Sequence, residues 1–186
     1  MRRRPTAFLR RLGANRRGSI VAEAAVAIAV LVSMSLSGLE FARYTLLNQK
    51  MERVSAEIAD LVSRDETITD TDIANIFAAV DEIANPFDVR ANGKVIVSAV
   101  GITNNGPLTI YWQRSSGSYV ATSHIGTPGN AVTLPAGFTI ASGTTAIIAE
   151  VTYHYTPWVL PGLIGNPEVY DIAFYRPRFG TLNQVN

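Results

Sequence analysis

Arg16-Arg17-Gly18-Ser19-Ile20-Val21-Ala22-Glu23 opens the stretch on which the fold turns, and the sequence stays apolar from there to Leu39. Ser19 to Leu39 is 21 residues with a single charge, Glu23. At about 1.5 Å rise per residue, such a helix is roughly 31 Å long, enough to cross the hydrocarbon core of a bilayer. The charge lies near one end of the run, and a basic block lies just before it.

That block dominates the charge distribution. The chain of 186 residues has a net charge of +1, which hides a strong asymmetry. Residues 1–18 hold seven arginines and no acid; residues 19–186 hold 9 basic against 15 acidic groups, a net of −6. A basic patch without interleaved aromatics does not read as a nucleic-acid surface. Beside an apolar run it reads as the cytoplasmic flank of a membrane segment, following the positive-inside rule. The chain has no cysteine, which excludes disulfides, thiolate metal sites and cysteine nucleophiles. Its length suits one domain in addition to an anchor.

A secretory signal peptide also begins basic and turns apolar, but its core spans about 7–15 residues and ends at a small-residue cut. Here the run is longer and continues into helical sequence. An uncleaved signal anchor carrying an extracytoplasmic ligand-binding module remains an open alternative. Glu23 separates the readings. A carboxylate inside an apolar helix costs up to about 2.5–3.5 kcal/mol at the bilayer centre and less near the interface, so it calls for a partner. If the chain is cut between Gly18 and Ser19, Glu23 becomes the fifth residue of the new chain. The new Ser19 amine then carries a positive charge near neutral pH. A neighbouring subunit's amine set against this carboxylate would fix register between helices, because either charge left alone is penalised.

These residues carry a resemblance. A basic leader, Gly18 and a glutamate five positions later in an apolar helix resemble the class III signal of type IV pilins. Gly18-Ser-Ile-Val-Ala-Glu23-Ala-Ala is most similar to the TadE-like pseudopilins of tight-adherence (Tad, Flp) pili. Gly38-Leu-Glu-Phe-Ala-Arg43 resembles the end of that family's membrane helix. Val151-Thr-Tyr-His-Tyr-Thr-Pro157 and Tyr175-Arg-Pro-Arg178 resemble its C-terminal pattern. The resemblance implies Gly18 and Ser19 as the processing site of a membrane prepilin peptidase and Glu23 as the residue that sets assembly register. It also implies a bacterial inner-membrane location with a cytoplasmic N-terminus, and other pilins, pseudopilins and the Tad machinery as partners.

Past the apolar run, Leu47, Met51, Val54, Ile58 and Leu61 recur at 4-3-4-3 spacing, and no Gly or Pro interrupts residues 39–65. The pattern predicts one continuous helix from about Ser19 to about Arg64 whose second half packs on the protein's own head, the alternative being a partner helix. Three parts follow: a leader over 1–18, a transmembrane and amphipathic helix over 19–64, and an α+β head over 65–186. In the head, Thr71 or Asp70 is expected to cap a second helix. That helix carries Ile73, Ile76, Phe77, Val80 and Ile83 on one face and ends at Asn85-Pro86. Asp65, Glu66, Asp70 and Asp72 lack the glycine and closing glutamate of a calcium loop and read as capping and solvated groups. The period then changes to two. Strands are expected at Lys94–Thr103, Leu108–Arg114, Thr145–Thr156 and Val169–Arg176, with Asn104-Asn105-Gly106-Pro107 as a turn and loops over 115–143. One face of this antiparallel sheet should pack on the helix, a pilin-like arrangement.

Catalysis needs a nucleophile or an acid–base group with an orienting partner, and no GxSxG, HExxH, P-loop or GxGxxG motif is present. His154 falls out of phase with the tyrosines of its strand, which suggests a surface position, and His124 lies in a Gly/Ser-rich region. Tyr153, Tyr155 and Trp158 read as core and rim residues rather than a sugar-stacking platform. Trp158 to Gly165 forms an apolar connection, a candidate contact for another subunit. The expectation is therefore a non-enzymatic assembly protein with no cofactor, metal, nucleic acid or small-molecule substrate. A low-copy role suits the large head.

Overall fold

The absence of helix breakers between Leu39 and Asp65 has its expected result: α1 is one uninterrupted helix, Arg17–Arg64. The computed structural model describes residues 17–102, 106–159, 161 and 165–186. The arginine-rich residues 1–16, positions 103–105 at the expected turn, and positions 160 and 162–164 of the apolar connection lie outside the described residues. Two compact units are distinguished, 1–42 and 43–186, so the second half of α1 belongs with the head.

Three short helices follow α1: α2 (Asp70–Ala78), α3 (Val80–Ala84) and α4 (Val89–Asn92). Four strands complete the head: β1 (Gly93–Ile102), β2 (Leu108–Ser116), β3 (Thr145–His154) and β4 (Glu168–Tyr175). All neighbouring strands are antiparallel, in the order β2-β1-β3-β4. The β1–β2 pair is a hairpin, whereas the connection from β2 to β3 passes β1 and contains no further strand or helix between Gly117 and Thr144.

Alternation sorts the strands into two buried faces. Val95, Val97 and Ala99 of β1, Trp112 of β2 and Ile147, Ala149, Val151 and Tyr153 of β3 join Leu47, Met51, Val54 and Ile58 of α1 in one core. The helix line drifts from the expected one. Leu61 is only half-buried and Val62 is buried instead. A straight helix has 3.6 residues per turn, so a strict 3.5-residue stripe drifts by about 20° per heptad, about 40° over the roughly four turns from Leu47 to Leu61. Ser55, buried among these residues, donates its hydroxyl to Asp171 on the edge strand β4.

The opposite face holds a second core of Val100, Ile110, Ile125, Ala146 and Ile148, with Val132, Leu134, Ile140 and Phe174 packed around it. Here the long β2–β3 connection covers the sheet, which explains why β1 and β3 are buried almost throughout instead of alternating. A β-bulge opposite Ala99 and Val100 inserts Tyr111 into the ladder. The adjoining Gly101 is required there, since a Cβ would lie 2.6 Å from the Thr144 carbonyl oxygen and 2.7 Å from the Tyr111 ring.

The cap of α2 is neither Asp70 nor Thr71. Thr69 is the N-cap, with its hydroxyl accepting from the Asp72 N–H and the Asp72 carboxylate accepting from the Thr69 N–H. This reciprocal box satisfies two orphan donors of the first turn. The expected single helix is divided at Ala79, but its face holds, with Ile73 and Val80 buried.

Candidate functional site

Gly18 and Ser19 stand in the first turns of α1, and every residue from 18 to 39 is exposed. This segment is long and apolar enough to cross a membrane. A Cβ built on Gly18 meets nothing within 4 Å, and its backbone is not in the left-handed region. The fold therefore gives no reason for glycine at this position, where alanine would favour a helix by about 1 kcal/mol. Ser19 Oγ donates to Glu23 Oε1 at 3.1 Å, one helical turn away. An ionised carboxylate has about four acceptor positions, so this bond leaves Glu23 able to take a cation as well.

The other polar side chains of the segment are internally satisfied. Ser33, Ser35 and Ser37 each return a hydroxyl hydrogen to the carbonyl four residues earlier, at 2.8 Å. Such back-bonding hides a donor that would otherwise be unsatisfied in hydrocarbon. Glu23 is thus the one ionisable group between Gly18 and Leu39.

In the head, nothing in the residue spacing announces Glu150. It lies on β3 between Ile96 and Ile172 of the neighbouring strands, and only 1% of it is exposed. It accepts from Ser123 Oγ, from the His124 backbone N–H at 2.7 Å and from Tyr170 Oη at 2.9 Å. Burial and the adjacent Glu150 charge push the Tyr170 hydroxyl far up, so it remains a donor. Serine, histidine and glutamate meet here, but not as a catalytic relay. The hydroxyl goes straight to the carboxylate, and His124 contributes its backbone, while its ring packs on Tyr170 at 4.1 Å. The cluster ties the β2–β3 connection to the sheet.

His154 is half-buried at the end of β3, stacked on Tyr119 at 5.4 Å, and its Nδ1 has no hydrogen-bond partner among the described residues. Tyr153 and Tyr155 are core residues, whereas Trp158 is exposed. Of the acidic group, Asp70 pairs with Arg114 at 2.6 Å and Asp72 serves the cap; both carboxyls are held below the ordinary aspartate value by those hydrogen bonds. Among the described residues, no group of three or more His, Asp or Glu is placed to hold a metal. Arg178, in the late Tyr-Arg-Pro-Arg pattern, donates its backbone N–H to Ser63 and its guanidinium to Asp60 at 2.7 Å, fastening the chain after β4 to α1.

Comparison with protein-family models, curated proteins and solved structures finds no match for this chain.

Proposed function

We propose that this chain is a minor pseudopilin of a Tad-type (type IVc) pilus. In this reading α1 anchors it in the bacterial inner membrane, with the N-terminus cytoplasmic and the head extracytoplasmic. A prepilin peptidase cuts between Gly18 and Ser19, and the chain then acts as an assembly subunit rather than a catalyst. One observation carries the reading. A single unbroken helix has an exposed apolar first half with a glutamate four residues after Ser19, and its second half is the buried spine of an antiparallel sheet. The Tad system itself is proposed on the residue resemblance.

Gly18 supports the reading from a different direction. Neither close packing nor backbone conformation demands glycine there. A protease closing on the scissile backbone supplies that demand, since any side chain would stand between the enzyme and the peptide bond.

Mass spectrometry of the chain recovered from membranes tests this. The expected product begins at Ser19 and requires a prepilin peptidase. Gly18→Asp is expected to accumulate at full length. Because the site is open and an acid in the first helical turn is favourable, that variant folds normally. A Gly18→Asp chain that is still trimmed at Ser19, or a wild-type chain that keeps its arginine-rich start, overturns the proposal.

A further inference from the structure

In the head, the Arg43 cation is set among aromatic rings. The guanidinium of Arg43 lies 3.8 Å from the centre of the Trp158 ring, 5.1 Å from Tyr155 and 5.6 Å from Phe87. Its Nη1 donates to the Thr156 carbonyl at 3.3 Å. Tyr155 and Phe87 are buried, and Tyr44 closes on Tyr155 edge-on at 5.3 Å. Trp158 is different: it is 72% exposed, although its indole is one of the largest apolar groups in the chain. In water an exposed cation–π pair of this kind is worth only about 0.5–1 kcal/mol.

Covalent geometry locates this cluster. Arg43 follows Leu39, the last residue of the apolar run, by four positions. Four residues span at most about 14 Å, however the chain runs. The polar interface adds only about 5–8 Å to each side of a roughly 30 Å hydrocarbon core. A cluster on so short a tether lies in or beside the interface whenever Ser19–Leu39 crosses the bilayer. Tryptophan prefers that depth, where its ring is in the acyl boundary and its N–H in the headgroups. A guanidinium with its flat fork of five donors suits lipid phosphate.

We propose that Arg43 and Trp158 form a phospholipid-binding seat that holds the head against the outer face of the membrane. The indole enters the headgroup–acyl boundary and the guanidinium meets lipid phosphate. The proposal rests on the membrane-spanning reading of α1 and adds the lipid surface as a partner of the head itself.

The test uses the full-length chain in phosphatidylcholine–phosphatidylglycerol vesicles, with Trp112→Phe leaving Trp158 as the only tryptophan. Lipids brominated high on the acyl chain are expected to roughly halve its emission, and aqueous iodide to quench it little, as for an interfacial ring. Arg43→Gln is expected to weaken the lipid quenching. Trp112 is a core residue, so the same quenching is also read as the difference between wild type and Trp158→Phe, whose exposed ring the fold does not need. Resistance to alkaline carbonate is measured on the same vesicles. Resistant protein whose Trp158 responds to iodide and ignores brominated lipid overturns the seat alone, and points to another subunit as the occupant. Protein released by carbonate overturns the seat together with the span on which it rests.

Discussion

Glu150 offers the sharpest test of how the head is held together. It is a buried carboxylate with three donors and no cation among the groups bonded to it. Replacing it with methionine keeps the volume and removes the acceptor. The Ser123 and Tyr170 hydroxyls and the His124 N–H then face an apolar side chain. A buried donor left without an acceptor costs about 1–3 kcal/mol. Because the connection can lift and let water reach some of them, the sum is expected near the lower bound, about 3–5 kcal/mol. Glutamine keeps one carbonyl oxygen for His124 and Tyr170, and the Ser123 hydroxyl can turn to accept from its amide. Its cost is expected at about 1 kcal/mol, the worth of an ordinary hydrogen bond.

The assay is thermal unfolding of the full-length chain in detergent micelles, followed by fluorescence in a Trp158→Phe background so that buried Trp112 reports alone. At about 2–4 °C per kcal/mol for a chain of this size, Glu150→Met should lower the Tm by roughly 10 °C and Glu150→Gln by about 3 °C. The cycle with Tyr170→Phe isolates the cause. Removing the tyrosine hydroxyl first takes away one stranded donor, so Glu150→Met should then cost about 1–2 kcal/mol less. Thermolysin cleavage within residues 117–144 should rise in step, since this connection hangs on the carboxylate. Equal effects of methionine and glutamine, or additivity with Tyr170→Phe, would refute the reasoning.

Three further outcomes are expected. The Asp60, Asp70 and Asp72 carboxyls are held below the ordinary 3.8, by Arg64, Arg114 and Thr69 respectively as the largest influences. Lowered values contribute stability that is present above the unfolded value and lost as pH falls through the folded one, so the acid limb of head unfolding should begin below about pH 4; burial and Glu150 raise Tyr170, so the alkaline loss should begin above about pH 10 and shrink in Tyr170→Phe. Both limbs are read from Tm against pH, and acid sensitivity unchanged by Asp60→Asn with Asp70→Asn would contradict the first. Glu23→Val should insert at least as well as wild type, because an ionised side chain in the span costs up to about 2.5–3.5 kcal/mol, yet assemble poorly into filaments. Filament yield equal to wild type would remove Glu23 from assembly.

Much of the fold was legible in residue spacing because the elements are locally consistent. The lack of breakers before Asp65 marked α1, and the switch to alternation after Pro86 marked strands whose ends fall within about two residues of those observed. Tyr153 and Tyr155 fell on the core face with Ile147, Ala149 and Val151, as their phase required. What could not be read was long-range. The β2–β3 connection is poor in periodic pattern, so nothing local announced that Ile125, Val132 and Leu134 close a second core. Glu150 lies in phase with solvent-type residues, and only that covering turns its face inward. Arg43 and Trp158 are separated by 115 positions and meet through tertiary packing. Gly18, Ser19 and Glu23, on which the proposed function rests, stand out by local contrast, a small residue and a charge in an apolar run.

The two halves of α1 pose opposite physical problems. In the second half Leu47, Met51, Val54, Ile58 and Val62 find strands to cover them. In the first, Ile20, Val21, Val26, Ile28, Val30, Leu31, Val32 and Met34 are all more than half exposed. Fully burying side chains of this kind is worth about 1.5–3 kcal/mol each, so these partly exposed ones together have on the order of 10 kcal/mol to gain from an apolar surrounding. Lipid supplies that surrounding, and so does a bundle of like helices. Lipid alone favours a helix without Glu23, and the serines already return their hydroxyl hydrogens to the backbone as lipid requires. A helix that must leave lipid for a bundle gains from a charge that finds its mate only there, because the mate fixes the stagger. If the chain is a filament subunit as proposed, the carboxylate is disfavoured in the first environment and rewarded in the second, and Glu23 is then the residue that separates a subunit in transit from a permanent anchor.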